Sequence, residues 1–161
     1  MITGAGVAAV LRSMAITHVV TVPDGTMGRW ESDIERAGIR LVRVCREGEA
    51  WTIAGGLYLG GATPLVLIQC TGLFESGDAL RNTLHEWKLP IYAMIGYRSY
   101  LNQENLPGDT SLVFTEPILA AWQLDVRLIK EAGQLGEMAE HYRSCQAASI
   151  PGVALIAEGR S

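Results

Sequence analysis

Residues 46–49 read Arg46-Glu47-Gly48-Glu49, two carboxylates within three positions, immediately after an apolar run at 39–44. A positioned carboxylate can take or give a proton at a reacting group, and the carboxyl end of a strand is where open α/β sheets bind their ligands. In the first turn of a helix the same groups would feel the positive end of the helix dipole and stay ionised. Plain helix-start charge is therefore the competing account of both Glu47 and Glu49. Three further stretches fall at equivalent strand ends: Pro23-Asp24-Gly25-Thr26, Thr71-Gly72-Leu73-Phe74 and Tyr97-Arg98-Ser99. Arg98, and after it Arg46, carries a guanidinium able to grip an anionic head with two parallel bonds, unless it forms only a surface salt bridge. His85, beside Trp87, reads as a helix-packing residue. Cys45, Cys70 and Cys145 are widely spaced and form no CxxC, so neither a disulfide framework nor a zinc site is expected, and no metal ligand is assigned.

The elements that must hold these residues alternate along the chain. Val7, Val10, Leu11 and Met14 recur at helical spacing over 4–16. Residues 18–22 read as a strand that Pro23-Asp24-Gly25 breaks, and Met27, Trp30, Ile34 and Ala37 restore a helical face up to Gly38. Residues 39–44 form the next strand and 47–59 the next helix. Gly55 and Gly56 lower its helix propensity and so point to close packing against a neighbour or a ligand. A strand at 65–69, a turn at 70–73, a helix carrying Ala79, Leu80, Thr83, Leu84 and Trp87, and a strand at 91–95 follow. Residues 96–115 show no sustained period and are long for a connection, which implies a functional loop. The pattern closes with a short helix at 116–122, a strand at 126–129, a helix carrying Leu135, Met138, Ala139 and Tyr142, and a strand at 153–156. Strands rich in Val, Ile and Leu that alternate with helices predict a single α/β domain over 1–161. Its form is a doubly wound, six-stranded, mainly parallel sheet with helices on both faces.

Two features invite other interpretations. Gly4-Ala5-Gly6-Val7-Ala8-Ala9 fits a G-x-G-x-x-A fingerprint, but three residues leave no room for the strand that must precede it, so no dinucleotide is expected. Trp30, Trp51, Trp87 and Trp122 default to core or interface packing. Trp51 lies four residues after Glu47, on the same helix face, and is the one expected at a subunit contact.

With 161 residues, 48% of them apolar and 19% charged, the chain can fold around one sizeable core. A net charge of −4 with no basic stripe argues against nucleic acid. The unpaired spacing of the three cysteines suits a reduced, cytoplasmic setting, and no apolar run is long enough to span a membrane and no targeting segment stands out.

Four stretches, taken together, carry a family resemblance: Val22-Pro23-Asp24-Gly25-Thr26; Arg46-Glu47-Gly48-Glu49-Ala50 with Ala54-Gly55-Gly56-Leu57-Tyr58; Pro64 to Thr71-Gly72-Leu73; and Leu89-Pro90 to Ile95-Gly96-Tyr97-Arg98. In this order and spacing they resemble the pyrimidine-binding domain of thiamine-diphosphate-dependent decarboxylases of the sulfopyruvate and phosphonopyruvate type. The resemblance implies that Glu47, not Glu49, is the catalytic carboxylate that hydrogen-bonds N1′ of the cofactor's aminopyrimidine. It implies that Thr71, Gly72 and Leu73 lie beside that ring. Asp24, Thr26 and Arg98 would then face a small anionic 2-oxo acid. Gly25 stands where the family has a serine, and residues 73–78 are longer and more acidic than the matching family stretch. Glycine at position 72 would allow backbone to approach the ring closely.

The family holds the diphosphate and Mg²⁺ in a second domain marked by Gly-Asp-Gly. Here there are Gly77-Asp78-Ala79 and Gly108-Asp109-Thr110 but no Gly-Asp-Gly. A separate β subunit carrying that half of the site, in an α₂β₂ or larger assembly, is the expectation. The alternatives are a thiamine-diphosphate-dependent carboligase or synthase subunit, and a non-catalytic binding module that kept the fold.

Overall fold

The computed structural model describes residues 1–105 and 108–159. Six strands make one sheet: β1 (His18–Thr21), β2 (Arg40–Arg43), β3 (Pro64–Gln69), β4 (Tyr92–Tyr97), β5 (Asp125–Ile129) and β6 (Gly152–Ala157), in the order β2-β1-β3-β4-β6-β5. Every pairing is parallel. The helices are α1 (Gly4–Ser13), α2 (Glu31–Arg36), α3 (Glu47–Leu59), α4 (Cys70–Arg81), α5 (Thr110–Ala121) and α6 (Leu135–Ala148).

Alternation along the strands divides the core in two, because successive side chains point to opposite faces of a sheet. Val19, Leu65, Leu67, Met94 and Ile156 meet Val7 and Leu11 of α1, Ile34 of α2 and Met138 of α6. Val20, Val66, Ile68, Ile95 and Leu155 meet Trp51 of α3, Leu73 and Leu80 of α4 and Leu119 of α5. This is the doubly wound sheet expected from the sequence. No helix among the described residues is long and apolar enough to cross a membrane.

Two expectations are corrected. Residues 70–73 are not a turn: α4 starts at Cys70, directly off β3, and contains Thr71, Gly72 and Leu73. The stretch 96–115 is not a structureless loop either. β4 runs on to Tyr97, a 3-10 segment covers Tyr100–Asn105, and α5 starts at Thr110, where the Asp109 carboxylate accepts from Ser111 N–H at 2.9 Å. Asp109 also accepts from Ser99 Oγ at 2.7 Å, which pins the end of β4 to the start of α5. These bonds, those of Ser111 first, hold its carboxyl at about 2. Residues 106 and 107 of that stretch lie outside the described residues. No strand precedes α1, which begins at Gly4 with the Thr3 hydroxyl accepting from Gly6 N–H, so the glycines there form a helix start. Of the paired mid-helix glycines, only Gly55 is closely packed. A Cβ there would lie 3.1 Å from Thr83 Cγ2 and 3.2 Å from Leu89 Cδ1, whereas one at Gly56 would meet nothing.

Candidate active site

The order of the sheet reverses between β1 and β3, the kind of switch point at which open α/β sheets bind their ligands. Glu47 is the first residue of α3 and Gly72 the third of α4, so the two elements that leave β2 and β3 bring them together. A Cβ on Gly72 would lie 2.6 Å from Glu47 Oε1 and 2.8 Å from its Cδ: the glutamate side chain rests on bare backbone. The two acids of the opening motif then separate by what they bind. Glu49 Oε2 accepts the N–H groups of Cys45 at 3.0 Å and Arg46 at 3.2 Å, closing the amino end of α3 on itself. The half-buried Glu47 carboxylate accepts no hydrogen bond from any described residue.

A third acid, which the sequence did not single out, holds this arrangement. Glu75 accepts from Gly48 N–H at 2.8 Å and from Arg46 Nη2 at 2.6 Å. Gly48 N–H first, and Arg46 after it, keep its carboxyl below the ordinary value. Arg46 is thereby committed to an ion pair rather than left open for substrate. Trp51 is not at a subunit contact. It is fully buried, its Nε1 donates to Ser76 Oγ at 2.7 Å, and Ser76 Oγ donates to the Gly72 carbonyl at 2.6 Å. α3 and α4 are thus locked together on both sides of the Glu47–Gly72 contact.

Glu75→Ala would leave the Gly48 N–H without its acceptor, and by analogy with a lost helix cap should remove about 1 kcal/mol. A Tm lower by about 2–4 °C at pH 7 is expected. Because the folded-state pKa is depressed, the difference from wild type should disappear as pH falls below the ordinary 4.5. Paired thermal melts at pH 7 and pH 3 check both statements.

A second cluster adjoins the first along the same edge. Asp24 Oδ1 accepts from the N–H groups of Thr26 at 2.6 Å and Met27 at 2.9 Å, and from Gln69 Nε2 at 3.2 Å. Thr26 Oγ1 lies 2.9 Å from Asp24 Oδ1, 3.2 Å from Glu158 Oε2 and 2.8 Å from Gln69 Nε2. Its one proton cannot serve both carboxylates at once. Glu158 follows β6, is 9% exposed, and occupies space that a side chain on Gly96 would fill, since a Cβ there would lie 2.6 Å from its Oε1. Burial, with the Asp24 charge adding to it and Arg29 and Arg98 opposing, pushes its carboxyl from the ordinary 4.5 up to about 7.

The folded state therefore binds this proton more tightly than the unfolded chain. The resulting stability is complete below pH 4.5 and is lost as pH rises to about 7, by up to about 3 kcal/mol. Glu158→Gln should raise the Tm by about 5 °C at pH 8 and leave it unchanged at pH 4.5. An equal shift at both pH values would show that the carboxyl does not titrate there.

Beyond Glu158 a recess of about 270 Å³ is walled by Gly25, Thr26, Arg29, Trp30 and Lys130 among others. The indole N–H of the buried Trp30 has no partner among the described residues, and Arg29 sits over the Trp30 ring at 5.8 Å. Arg98 is exposed at the end of β4, close enough to Asp109 and Glu158 to lower both. Asp24, Thr26 and Arg98 are therefore gathered at one edge, with Gln69 and Glu158 as additional members. Thr71 is exposed and Gly72 buried beside Glu47, whereas the Leu73 side chain is wholly in the core, so only its backbone can face a ligand. His85 stacks on Trp122 with ring centroids 6.4 Å apart, in the packing role expected of it.

Solved structures that match nearly the whole chain include two enzymes. One is the 2-oxoglutarate:ferredoxin oxidoreductase of Magnetococcus marinus, with TM-score 0.71, 13% identity, and 99% of this chain on 29% of that one. The other is the benzoylformate decarboxylase of Polynucleobacter necessarius, with TM-score 0.71, 19% identity, and 98% of this chain on 30% of that one. The fold is the thiamine-diphosphate-binding pyrimidine-domain fold. Among curated proteins the chain is 29% identical over 111 residues to the phosphonopyruvate decarboxylase of Streptomyces viridochromogenes, covering 66% of this chain and 27% of that protein. It is 33% identical over 66 residues to the sulfopyruvate decarboxylase subunit alpha of Methanococcus maripaludis, covering 41% of this chain and 40% of that one. The matches thus span less than half of either relative. No protein-family model matches.

Proposed function

We propose that this chain is the α subunit of a two-chain, thiamine-diphosphate-dependent decarboxylase acting on a small anionic 3-substituted pyruvate, of the sulfopyruvate or phosphonopyruvate kind. One observation carries the proposal: of the two acids at the start of α3, Glu49 is used in the helix cap, while Glu47 is left without a protein donor, resting on Gly72 at the switch point. A free, half-buried carboxylate beside bare backbone fits a flat heterocycle with a ring nitrogen to be hydrogen-bonded. When bound, thiamine diphosphate supplies the nucleophilic carbon and the electron sink for loss of carbon dioxide.

The chain's own residues would divide the remaining work. Glu47 would accept the hydrogen bond of the aminopyrimidine N1′ and hold its proton there. Gly72, with the backbone of Thr71 and Leu73, would flank the ring. Asp24 and Thr26 would face the substrate, with the Thr26 hydroxyl already ordered by Gln69. Arg98, with Arg29 and Lys130 at the same edge, would draw in an anion. The diphosphate and Mg²⁺ would be held by a β subunit. The naming of the Methanococcus relative as a subunit alpha supports that division. So do exposed Leu101 of the 3-10 segment and Val113 and Phe114 of α5, which offer apolar surface to a partner.

Calorimetric titration with thiamine diphosphate and Mg²⁺, of this chain alone and of the complex with the product of a neighbouring gene, tests the proposal. Binding and carbon dioxide release only by the complex are expected. Turnover by the chain alone would remove the need for a partner, and no binding by any complex would favour a module that kept only the fold.

A further inference from the structure

At the other end of the sheet, remote from the strand ends described above, Tyr92 opens β4, Asp125 opens β5 and Gly152 opens β6, with Gly152 in register with both. α6 brings His141 and Cys145, one helical turn apart, to this place. His141 Nε2 is 3.3 Å from Asp125 Oδ1 and 3.5 Å from Cys145 Sγ, and all three atoms lie within 4.8 Å of one another. Two ligand-type atoms thus converge on a single ring nitrogen, which has one proton or one lone pair to offer and cannot satisfy both by hydrogen bonding. The other ring nitrogen, Nδ1, lies 2.8 Å from the buried Tyr92 hydroxyl, which fixes the ring.

We propose that Asp125, His141 and Cys145 form a Zn²⁺ site. With Zn–N and Zn–O near 2.0 Å and Zn–S near 2.3 Å, tetrahedral ligands stand about 3.3 Å apart for N and O and about 3.5 Å apart for S and N. These are the separations found around His141 Nε2. One thiolate, one imidazole and one carboxylate suit a borderline-soft ion, whereas Mg²⁺ and Ca²⁺ favour oxygen throughout. The Tyr92 hydroxyl on Nδ1 is the kind of outer partner that orients a metal-bound histidine. His141 and Cys145 are buried, whereas the Asp125 side chain is 54% exposed, so the site opens to solvent at Asp125. The absence of a side chain at Gly152 is part of the site, because a Cβ there would lie 2.5 Å from Cys145 Sγ. An ion held here would tie the edge strand β5 to α6.

The test uses the full chain, stripped by chelator and titrated with Co²⁺ and then Zn²⁺. One equivalent of Co²⁺ should produce a thiolate-to-cobalt charge-transfer band and tetrahedral ligand-field bands, both abolished by one equivalent of Zn²⁺. Asp125→Asn, at an exposed position where folding is not at stake, should weaken binding at least tenfold. Tyr92→Phe should weaken it about 10- to 100-fold, and Cys145→Ala should remove the charge-transfer band, with circular dichroism confirming the fold of each variant. A Co²⁺ spectrum without a thiolate band, or an affinity indifferent to Asp125→Asn, would overturn the proposal.

Discussion

Glu47→Gln is expected to lower kcat of the assembled enzyme by about 10²- to 10⁴-fold, the range of a positioned proton-transfer group. The amide keeps the shape and the packing on Gly72 but cannot hold a negative charge against a protonated ring nitrogen. Cofactor affinity should change little if the proposed β subunit holds the diphosphate, and the Tm should be nearly unaltered because the carboxylate has no donor to lose among the described residues. Glu49→Gln is the control. It disturbs the cap made with Cys45 and Arg46, so its effect should appear in stability more than in turnover. If Glu49→Gln silenced the enzyme and Glu47→Gln did not, the two roles would have to be exchanged. Steady-state kinetics with thermal melts on the same samples distinguish these outcomes.

Gly72→Ala should reduce activity far more than stability. Gly72 lies inside α4, where alanine is favoured over glycine by about 1 kcal/mol, so the helix itself gains. The new methyl group, however, would fall on Glu47 Cγ and lie 2.6 Å from Oε1, so the whole Glu47 side chain must swing to another rotamer. Misplacement of a catalytic group by about 1 Å can remove on the order of 10² in rate. A variant whose stability stays within about 1–2 kcal/mol of wild type, the helix gain offsetting part of the clash, with about 100-fold lower kcat is the expected result. Full activity would mean that Glu47 does not act from its position on Gly72. The Trp51–Ser76–Gly72 hydrogen bonds explain why α4 cannot simply move aside to make room.

The parts of the fold that were legible in the sequence are those with local signals. α3 shows its bounds because a strand precedes Glu47 and Gly60 and Gly61 follow Leu59. The start of α4 is hidden because Thr71-Gly72 carries turn chemistry, although the helix begins directly off β3 with Gln69 as its cap residue. α5 is hidden by its exposed Val113 and Phe114, which blur any apolar stripe, and by Pro117 within it. The preference for Glu47 over Glu49 comes from the family resemblance, whereas the physical difference between them lies in the bonds of the helix cap, which occupy Glu49. Glu75 acts across 27 residues of chain to Gly48, and no spacing rule reveals such a partner. Glu158 had a signal, since it directly follows the last strand at the active edge. Its burial, however, depends on Thr26 lying against it and on the missing side chain of Gly96. The Asp125, His141 and Cys145 cluster leaves no mark in cysteine spacing, because it is made by a helical i, i+4 pair and the register of β5.

The most direct test of the central claim is hydrogen–deuterium exchange at C2 of thiamine diphosphate bound to the assembled complex, followed by quenched-flow NMR in wild type and Glu47→Gln. Exchange should be at least about 10²-fold slower in the variant, approaching that of the free cofactor. Equal exchange rates in the two proteins would contradict the assignment of Glu47 as the carboxylate that activates the cofactor.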